Sequence, residues 1–143
     1  KYAKIKIKDK NIIFKNLDIS KIKLKKSDLI ICCYTIQFLP PKVRQEVINK
    51  IFKSLNWGGA FLFFEKVRAP DARFQDIING LYNEFKLDQG ISASEIFNKT
   101  RSLKGVLEPF SEYGNISMLK RSGFQDICSV FKSICFQGWI AIK

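Results

Sequence analysis

The 143-residue sequence contains no histidine. This absence excludes Ser–His and Cys–His nucleophilic pairs and histidine-ligated metal sites. Cysteine is present, but not in the C-x-x-C spacing that would predict a zinc site. The apolar neighbours of each cysteine instead predict buried, reduced thiols at Cys32, Cys33, Cys128 and Cys135. Any chemistry must therefore use a bound reagent, carboxylates, tyrosine, arginine or backbone groups.

A long apolar segment is also missing. No uninterrupted run approaches the roughly 18 to 20 residues of a membrane-spanning helix, and no charged-then-apolar leader precedes a small-residue cleavage site. We therefore expect a cytoplasmic protein without a membrane partner. The length fits one domain. Because the first segment already resembles a strand from the middle of a domain, we expect residues 1–143 to form a single, N-terminally truncated domain.

Acidic residues are scarce relative to basic ones, since 13 Asp and Glu stand against 25 Lys and Arg, giving a formal net charge of +12. A basic surface supplies most of the non-specific affinity of a protein for phosphate backbones. Solvated lysines together with compositional bias are nevertheless the preferred explanation, because charge alone identifies no binding face. No RNA-recognition motif, KH loop or zinc finger is present, so direct RNA binding is left open but not expected.

The segment from Asp28 to Glu65 has the pattern of one βαβ unit. Asp28–Cys33 is a short, nearly all-apolar run, as expected for a parallel strand that is covered on both faces. A helix follows, and Gly58-Gly59 then releases the chain into a second buried strand, Ala60–Phe64. In doubly wound α/β folds, small ligands bind at the carboxyl ends of such strands.

The helix of this unit is predicted to begin at Pro40-Pro41 and to end near Leu55, because proline suits a first helical turn. Its apolar residues recur at helical spacing, and we expect the charged residues, Arg44 among them, to lie on the other sides. The apolar face consists of Val43, Val47, Ile48, Ile51 and Leu55.

Further elements flank this unit. The pattern predicts a short strand at about Asn11–Phe14 and a helix at about Ala72–Lys86. Two further helices are predicted, one at about Ser92–Lys99 that opens with a Ser92/Glu95 capping box, and one from Ser111-Glu112 to Ser122-Gly123. Strands at about Asp126–Phe131 and Ile134–Ile142 are predicted to pair as an antiparallel hairpin. The predicted fold class is α/β, a Rossmann-like class I methyltransferase fold that lacks its first strands, with a C-terminal antiparallel hairpin and a helical insert at about residues 87–122.

Four stretches of the sequence resemble carboxy-S-adenosyl-L-methionine synthases, which are relatives of the S-adenosylmethionine-dependent methyltransferases. The stretches are YTIQFLPPKVRQEVINKIFKSLNWGGAFLFFEK, DARFQDIINGLYNEFK, KTRSLKGVLEPFS and SGFQDICSVFKSICFQGWIAIK. The resemblance covers nearly all of this chain but only about the carboxyl-terminal three-fifths of a family member.

The resemblance implies that Asp18, Ile19 and Cys33 contact the ligand. Asp18 and Ile19 match an Asp-Ile pair beside the adenine, where the carboxylate accepts the exocyclic amine and the next backbone N–H meets a ring nitrogen. The alternative from the sequence alone is an aspartate that caps a turn. Cys33 stands where the family has asparagine, and a thiol donates and accepts hydrogen bonds only weakly. Cys33 therefore either contacts the ligand through its backbone or is simply a core or pocket-lining thiol.

Arg101, in KTRSL, matches the arginine that holds the carboxylate of the product in this family, and it is the predicted catalytic residue. A planar guanidinium can bind a carboxylate through two parallel hydrogen bonds. The alternative is a solvated arginine at a helix end, where the helix dipole favours a cation. Tyr34, Gln37 and Glu65 lie near strand ends and either line the pocket or have structural roles. No metal ligand is expected.

The implied activity converts S-adenosyl-L-methionine and prephenate to carboxy-S-adenosyl-L-methionine and phenylpyruvate, for modification of the wobble uridine of tRNA. The family also implies a homodimer in which the helical insert contributes to pairing. A glycine-rich turn and a ribose-binding acidic residue, which the family places earlier in its chain, are not found before Asp18. We therefore expect the isolated chain to bind S-adenosyl-L-methionine weakly or not at all, and to have an open sheet edge.

Two other functions are compatible with the same residues. The first is an ordinary methyltransferase that acts on another substrate. The second is an inactive remnant, or a binding module that attracts RNA through its lysines.

Overall fold

The computed structural model describes residue 7 and residues 9–143, which form an α/β structure. The elements in chain order are β1 (Ser27–Cys33), α1 (Pro41–Ser54), β2 (Leu55–Lys66), α2 (Ala72–Asp88), α3 (Ala93–Ser102), α4 (Glu112–Ser122), β3 (Asp126–Ser133) and β4 (Phe136–Ile142), with a short 3₁₀ turn at Ile36–Phe38 between β1 and α1.

The four strands form one mixed sheet with the order β1-β2-β4-β3. β1 and β2 are parallel, with Leu29 opposite Ala60 and Cys33 opposite Phe64. β4 lies between β2 and β3 and is antiparallel to both. The parallel pair follows from the helical crossover α1, whereas the hairpin needs only a tight turn.

The core lies between one face of the sheet and helices α1 and α4. Alternate residues of β2 point into it, so Phe61 and Phe63 are fully buried, and their rings stack at a centroid distance of 5.4 Å. Trp139 of β4 packs beside Phe63, and Phe124 stacks on Phe61. The predicted apolar face of α1 is largely confirmed, since its four most buried members are Val47, Ile48, Ile51 and the following Leu55.

The helices, the βαβ unit and the C-terminal hairpin are confirmed, most with boundaries close to those predicted. The entry to the second strand is different, because β2 begins at Leu55 and Gly58-Gly59 lies inside it rather than before it. The capping box is also present, since the Ser92 side chain accepts from the backbone N–H of Glu95 and the Glu95 carboxylate accepts from that of Ser92. The strand predicted at Asn11–Phe14 is wrong. This segment forms no sheet pairing and is largely exposed, although its apolar residues have the pattern of a strand.

Two burial predictions are also wrong. β1 is not covered on both faces, because Leu29 and Ile31 are about half exposed, at 50% and 53%. Cys32 and Cys135 are buried as predicted, but Cys33 and Cys128 are exposed. Cys33 shares the open face of β1 with Leu29 and Ile31, and Cys128 lies on an edge strand whose outer face is solvated. β1 forms an edge of the sheet in the part of the chain described here, as the open-edge prediction required.

Helices α2 and α3 present apolar side chains to solvent. The predicted apolar face of α2 includes Phe74, Ile77, Leu81 and Phe85, each close to half exposed, and Phe97 of α3 is 62% exposed. Helical apolar stripes normally face a core, so this surface, which we call the α2 face, lacks cover within the described residues. Among these residues, no helix has both the length and the apolar character required to cross a bilayer.

Two glycines provide a matched test of the backbone. Gly123 ends α4 with φ of +115°, and an added Cβ would lie 2.7 Å from Cζ of Phe52, whereas a Cβ at Gly80 in α2 would meet nothing within 4 Å. We expect Gly123→Ala to lower the free energy of unfolding by about 1–3 kcal/mol. Gly80→Ala should raise it by about 0.5–1 kcal/mol. Urea denaturation measures both, and equal shifts in the same direction would contradict this description of the backbone.

Candidate functional site

The carboxyl ends of the parallel strands β1 and β2 lie side by side at one edge of the sheet. Tyr34, directly after β1, has a positive φ of 51°, and its backbone N–H donates to the carbonyl of Phe64 at 2.8 Å. A bulky residue rarely adopts this left-handed conformation, and such residues are concentrated at functional sites. The Tyr34 ring packs edge-on against Phe136 at 5.4 Å. The turn after β1 is therefore held tightly at the end of the sheet where ligands bind in this fold class.

Glu65 organises this turn from the neighbouring strand. Its side chain is only 2% exposed. Oε1 accepts the backbone N–H groups of Thr35 and Ile36 at 3.2 and 3.0 Å, and Oε2 accepts that of Gln37 at 2.8 Å. These are the N–H groups at the start of the 3₁₀ turn, where the peptide dipoles favour a negative charge.

Arg44 occupies the other side of the same turn. The sequence pattern assigned it to the polar side of α1, and this interpretation is wrong, because Arg44 is 1% exposed. Its Nε donates to the carbonyl of Leu39 at 2.8 Å, Nη2 to that of Gln37 at 3.0 Å, and Nη1 to that of Glu108 at 2.7 Å. The guanidinium also lies 4.4 Å from the ring centroid of Phe110. A charge buried in this way is satisfied by three carbonyl dipoles.

Burial raises the pKa of the Glu65 carboxyl to about 7, because lost hydration outweighs the three N–H hydrogen bonds and the attraction of Arg44. Burial, followed by the nearby Glu65 charge, raises the pKa of the Cys32 thiol to about 12. Cys32 is therefore a neutral core thiol at physiological pH and not a nucleophile.

A pocket of about 560 Å³ lies beside this network, between the end of β2, helix α2 and the chain after α3. Four basic residues line it, and among the described residues none of the lining side chains is acidic. The basic residues are Lys66, Arg68, Arg101 and Lys104, and Gln75, Asn79 and Thr100 add neutral polar groups. Such a pocket favours a ligand that carries negative charge.

Two lysines near this pocket interact with one tyrosine. The ammonium groups of Lys66 and Lys86 lie 4.9 and 4.4 Å from the ring centroid of Tyr82. Burial, together with the positive charges of Lys66 and Lys99, lowers the pKa of Lys86. Within the described residues, neither Lys86 nor the four basic residues that line the pocket make an ion pair with a carboxylate, so this positive charge is not neutralised locally.

The structure places the predicted site residues in different surroundings. Arg101 is exposed at the end of α3 and lines the pocket, where its guanidinium is 5.9 Å from the ring centroid of Phe97. Asp18, Ile19 and Cys33 do not line this pocket. Cys33 is exposed at the carboxyl end of β1, and Ile19 packs against the core. Their ligand roles remain predictions.

Asp18 caps a turn, which is the alternative to adenine binding that the sequence alone suggested. Its Oδ1 accepts from the backbone N–H and the hydroxyl of Ser20 at 2.9 and 2.7 Å. The side-chain and backbone hydrogen bonds from Ser20 lower the pKa of Asp18. The turn leads into Lys21–Leu24, which lines a separate cavity of about 600 Å³ against α1. The turn fixes Oδ1 and leaves Oδ2 without a hydrogen bond among the described residues, so the structural role and the adenine role are compatible.

The pattern analysis missed Arg44 and gave Glu65 and Gln37 only a general position near strand ends. Gln37 is 5% exposed, and its Oε1 accepts the backbone N–H of Lys66 at 2.8 Å. Arg44 lies three, four and seven residues before buried members of the apolar face, so helical spacing alone places it on that face, and its charge was the reason for the wrong assignment. For Glu65 the usable signal was chemical, since it is a carboxylate at the end of an otherwise apolar strand.

Comparison with known proteins identifies relatives for this arrangement. The chain is 42% identical over 118 residues to carboxy-S-adenosyl-L-methionine synthase of Campylobacter lari, covering 82% of this chain and 50% of the relative. It is 38% identical over 133 residues to the synthase of Sulfurimonas denitrificans, covering 93% of this chain and 57% of that relative. It is 35% identical over 133 residues to the synthase of Staphylococcus epidermidis, covering 93% of this chain and 58% of that relative. The chain resembles the carboxyl-terminal portion of carboxy-S-adenosyl-L-methionine synthases. The resemblance inferred from the four sequence stretches is thereby confirmed.

The chain spans about half the length of the curated relatives that it matches. No family model matches the sequence. Solved structures with a similar fold include human N-acetylserotonin methyltransferase in complex with SAM, with a TM-score of 0.60 and 16% identity over 94% of this chain and 34% of that one. Another is the methyltransferase SibL, with a TM-score of 0.58 and 12% identity over 90% of this chain and 35% of that one. These likenesses confirm the predicted class I methyltransferase fold, of which this chain forms a part.

The raised pKa of Glu65 predicts a pH dependence of stability. The folded chain holds a proton on Glu65 more tightly than the unfolded chain, whose glutamates titrate near pH 4.5. The free energy of unfolding should therefore fall as pH rises from about 4.5 to about 7 and level off above pH 7. The contribution is on the order of 2–3 kcal/mol. Urea denaturation between pH 5 and 8 measures it, in a chain without histidines that would titrate in the same range.

The control for this measurement is Glu84→Gln, which removes an exposed carboxylate from α2. We expect Glu65→Gln to flatten the pH dependence and Glu84→Gln to leave it unchanged. An unaltered slope in Glu65→Gln would show that another group is responsible.

Proposed function

We propose that this chain is the ligand-carboxylate-binding part of a carboxy-S-adenosyl-L-methionine synthase. The proposed reaction takes S-adenosyl-L-methionine and prephenate to carboxy-S-adenosyl-L-methionine, phenylpyruvate and water. The carbon dioxide that prephenate releases bonds to the sulfonium methyl carbon. That carbon gives up a proton, which combines with the hydroxide that prephenate loses to form water. The product would serve wobble-uridine modification of tRNA.

The basic pocket is the observation that carries this proposal. Carboxylation of S-adenosyl-L-methionine adds one negative charge and keeps the sulfonium, so the positive charges of Lys66, Arg68 and Arg101 favour the carboxylated product over its precursor. The same charges attract a dicarboxylate co-substrate. The exposed guanidinium of Arg101 is available for two parallel hydrogen bonds to a carboxylate, and Lys104 adds positive potential nearby.

The other roles are those that the family resemblance implies. Asp18 would accept the adenine amine through Oδ2, while Ser20 holds Oδ1. Ile19 would contribute its backbone N–H to the adenine, and Cys33 would contact ligand through its backbone at the end of β1. No step requires a histidine, in agreement with the composition. These residues bind and orient the reactants, and such positioning accounts for much of the catalysis when two charged small molecules react.

Arg101 provides the direct test. In the full-length protein, we expect Arg101→Ala to weaken binding of carboxy-S-adenosyl-L-methionine by about 10- to 100-fold, because hydrogen bonds to a charged group are lost. Binding of S-adenosyl-L-methionine should change by less than about threefold, since it has no added carboxylate. Arg101→Lys should lie between the two, because an ammonium cannot form the two parallel hydrogen bonds. Isothermal titration calorimetry measures all three.

Arg73→Ala is the matched control, since Arg73 is an exposed arginine near the start of α2 and does not line the pocket. Equal losses for both ligands in Arg101→Ala would contradict a carboxylate role. Wild-type protein that binds S-adenosyl-L-methionine but neither the carboxylated product nor prephenate would indicate a methyltransferase with another substrate.

We also propose that the protein is a homodimer that pairs through the α2 face. Support comes from the four half-exposed apolar side chains of α2 and the 62% exposed Phe97, since a contiguous apolar surface of this kind usually marks an interaction site. We expect Leu81→Lys to convert the dimer to a monomer in light scattering after size-exclusion chromatography. Trp57→Lys, at a residue that is 92% exposed and lies outside the α2 face, should leave the mass unchanged. A wild-type monomer at micromolar concentration would refute this assembly.

A further inference from the structure

The turn between β1 and α1 lies between two buried charges of opposite sign. Glu65 holds its first three N–H groups, and Arg44 holds the carbonyls of Gln37 and Leu39 at its other end. The peptide dipoles of the turn point their positive end at the carboxylate and their negative end at the guanidinium. The two charged groups are therefore coupled through the peptide groups of the turn between them.

Arg44 also extends beyond this turn. Its third hydrogen bond reaches the carbonyl of Glu108 at 2.7 Å, and the backbone N–H of Glu108 donates to the carbonyl of Gln37 at 3.2 Å. Glu108 lies between Leu107 and Pro109, both of which line the basic pocket. One side chain thus fixes the connection that runs from Arg101 back to the sheet.

The opposite wall of the pocket depends on the same turn. The Gln37 amide oxygen accepts the backbone N–H of Lys66 at 2.8 Å, and Lys66 lines the pocket from the end of β2. The buried unit of Glu65, Gln37 and Arg44 is therefore bonded to both walls, at Lys66 on one side and at Glu108 on the other.

Stability alone is a weak explanation for such a unit. Removing two charges from water is costly, and well-packed apolar residues of similar volume often stabilise a core equally well. Fixed geometry is the better explanation, because three carbonyl groups from three different positions must converge on a single planar guanidinium.

We propose that Arg44 and Glu65 are positioning residues of the ligand site, which hold the Leu103–Pro109 wall against the end of β2 and so direct Arg101 toward the carboxylate of the ligand. This inference rests on the proposed function for the identity of the ligand. The positioning itself is a property of this chain and can be measured without ligand.

The first experiment is hydrogen exchange of the full-length Arg44→Lys protein, followed by mass spectrometry. Lysine keeps the charge but cannot reach three carbonyls in one plane. We expect the amides of Val106, Leu107 and Glu108 to exchange at least about tenfold faster than in the wild type. Met118→Ala is the control, because it opens a cavity at a core residue on α4 that is 2% exposed and leaves the Arg44 contacts intact. It should not accelerate exchange selectively in this wall.

The second experiment measures ligand selectivity, defined as the ratio of the dissociation constants of S-adenosyl-L-methionine and carboxy-S-adenosyl-L-methionine. We expect Arg44→Lys to reduce this ratio by about fivefold or more, although Arg44 does not line the pocket. In an Arg101→Ala background, the same substitution should change the ratio by less than about twofold, because residues that act through one group are not additive.

The outcomes separate the two proposals. Wild-type protein that binds neither ligand refutes the proposed function, while the exchange rates still decide the positioning. Unchanged exchange in the wall, or equal losses of selectivity with and without Arg101, overturns the positioning inference. If Arg44→Lys does not fold, Phe110→Leu replaces it, because this change removes only the ring beneath the guanidinium and should produce the same effects in weaker form.

Discussion

The arrangement of this site depends on one buried carboxylate that accepts three consecutive backbone N–H groups. Glu65 binds the start of the turn after β1, and its position at the end of β2 means that the parallel pairing of the two strands brings donor and acceptor together. The burial that raises its pKa also makes each of these hydrogen bonds stronger than it would be in water. Arg44 then completes the charge balance from the far end of the turn without touching the carboxylate.

The sheet and the helices have strong local patterns, and these were predictable because each pattern reports a local property. Apolar periodicity identified α1 and α2, the apolar run Ala60–Phe64 identified the inner part of β2, and the serine caps identified α3 and α4. The strand predicted at Asn11–Phe14 has the same pattern but finds no neighbouring strand to pair with in the described part of the chain. A strand needs a partner, and sequence periodicity contains no information about partners.

The site was less predictable because its residues come together only through the tertiary fold. Arg101 could be placed through a resemblance, but its neighbours Lys66 and Arg68 come from another part of the chain. The charge of Arg44 led to its assignment to the polar side of α1, although helical spacing places it on the apolar face. The burial of Arg44 depends on the Glu108–Phe110 segment crossing the start of the helix, 64 residues further along the chain. Asp18 shows the opposite difficulty, because one local turn satisfies its structural role and remains compatible with a ligand role.

The accumulation of positive charge at the pocket links ligand binding to stability. Burial and, after it, the positive charges of Lys66 and Lys99 lower the pKa of Lys86, so keeping these ammonium groups close together costs free energy in the unliganded protein. A carboxylated ligand carries one negative charge more than its S-adenosyl-L-methionine precursor, so it would remove more of this repulsion. Because a ligand that binds the folded state stabilises it, the carboxylated ligand would also stabilise the folded chain more strongly at equal concentration. In the proposed synthase, the basic pocket would thus contribute to selectivity through long-range charge, and Arg101 would add directional hydrogen bonds to the same preference.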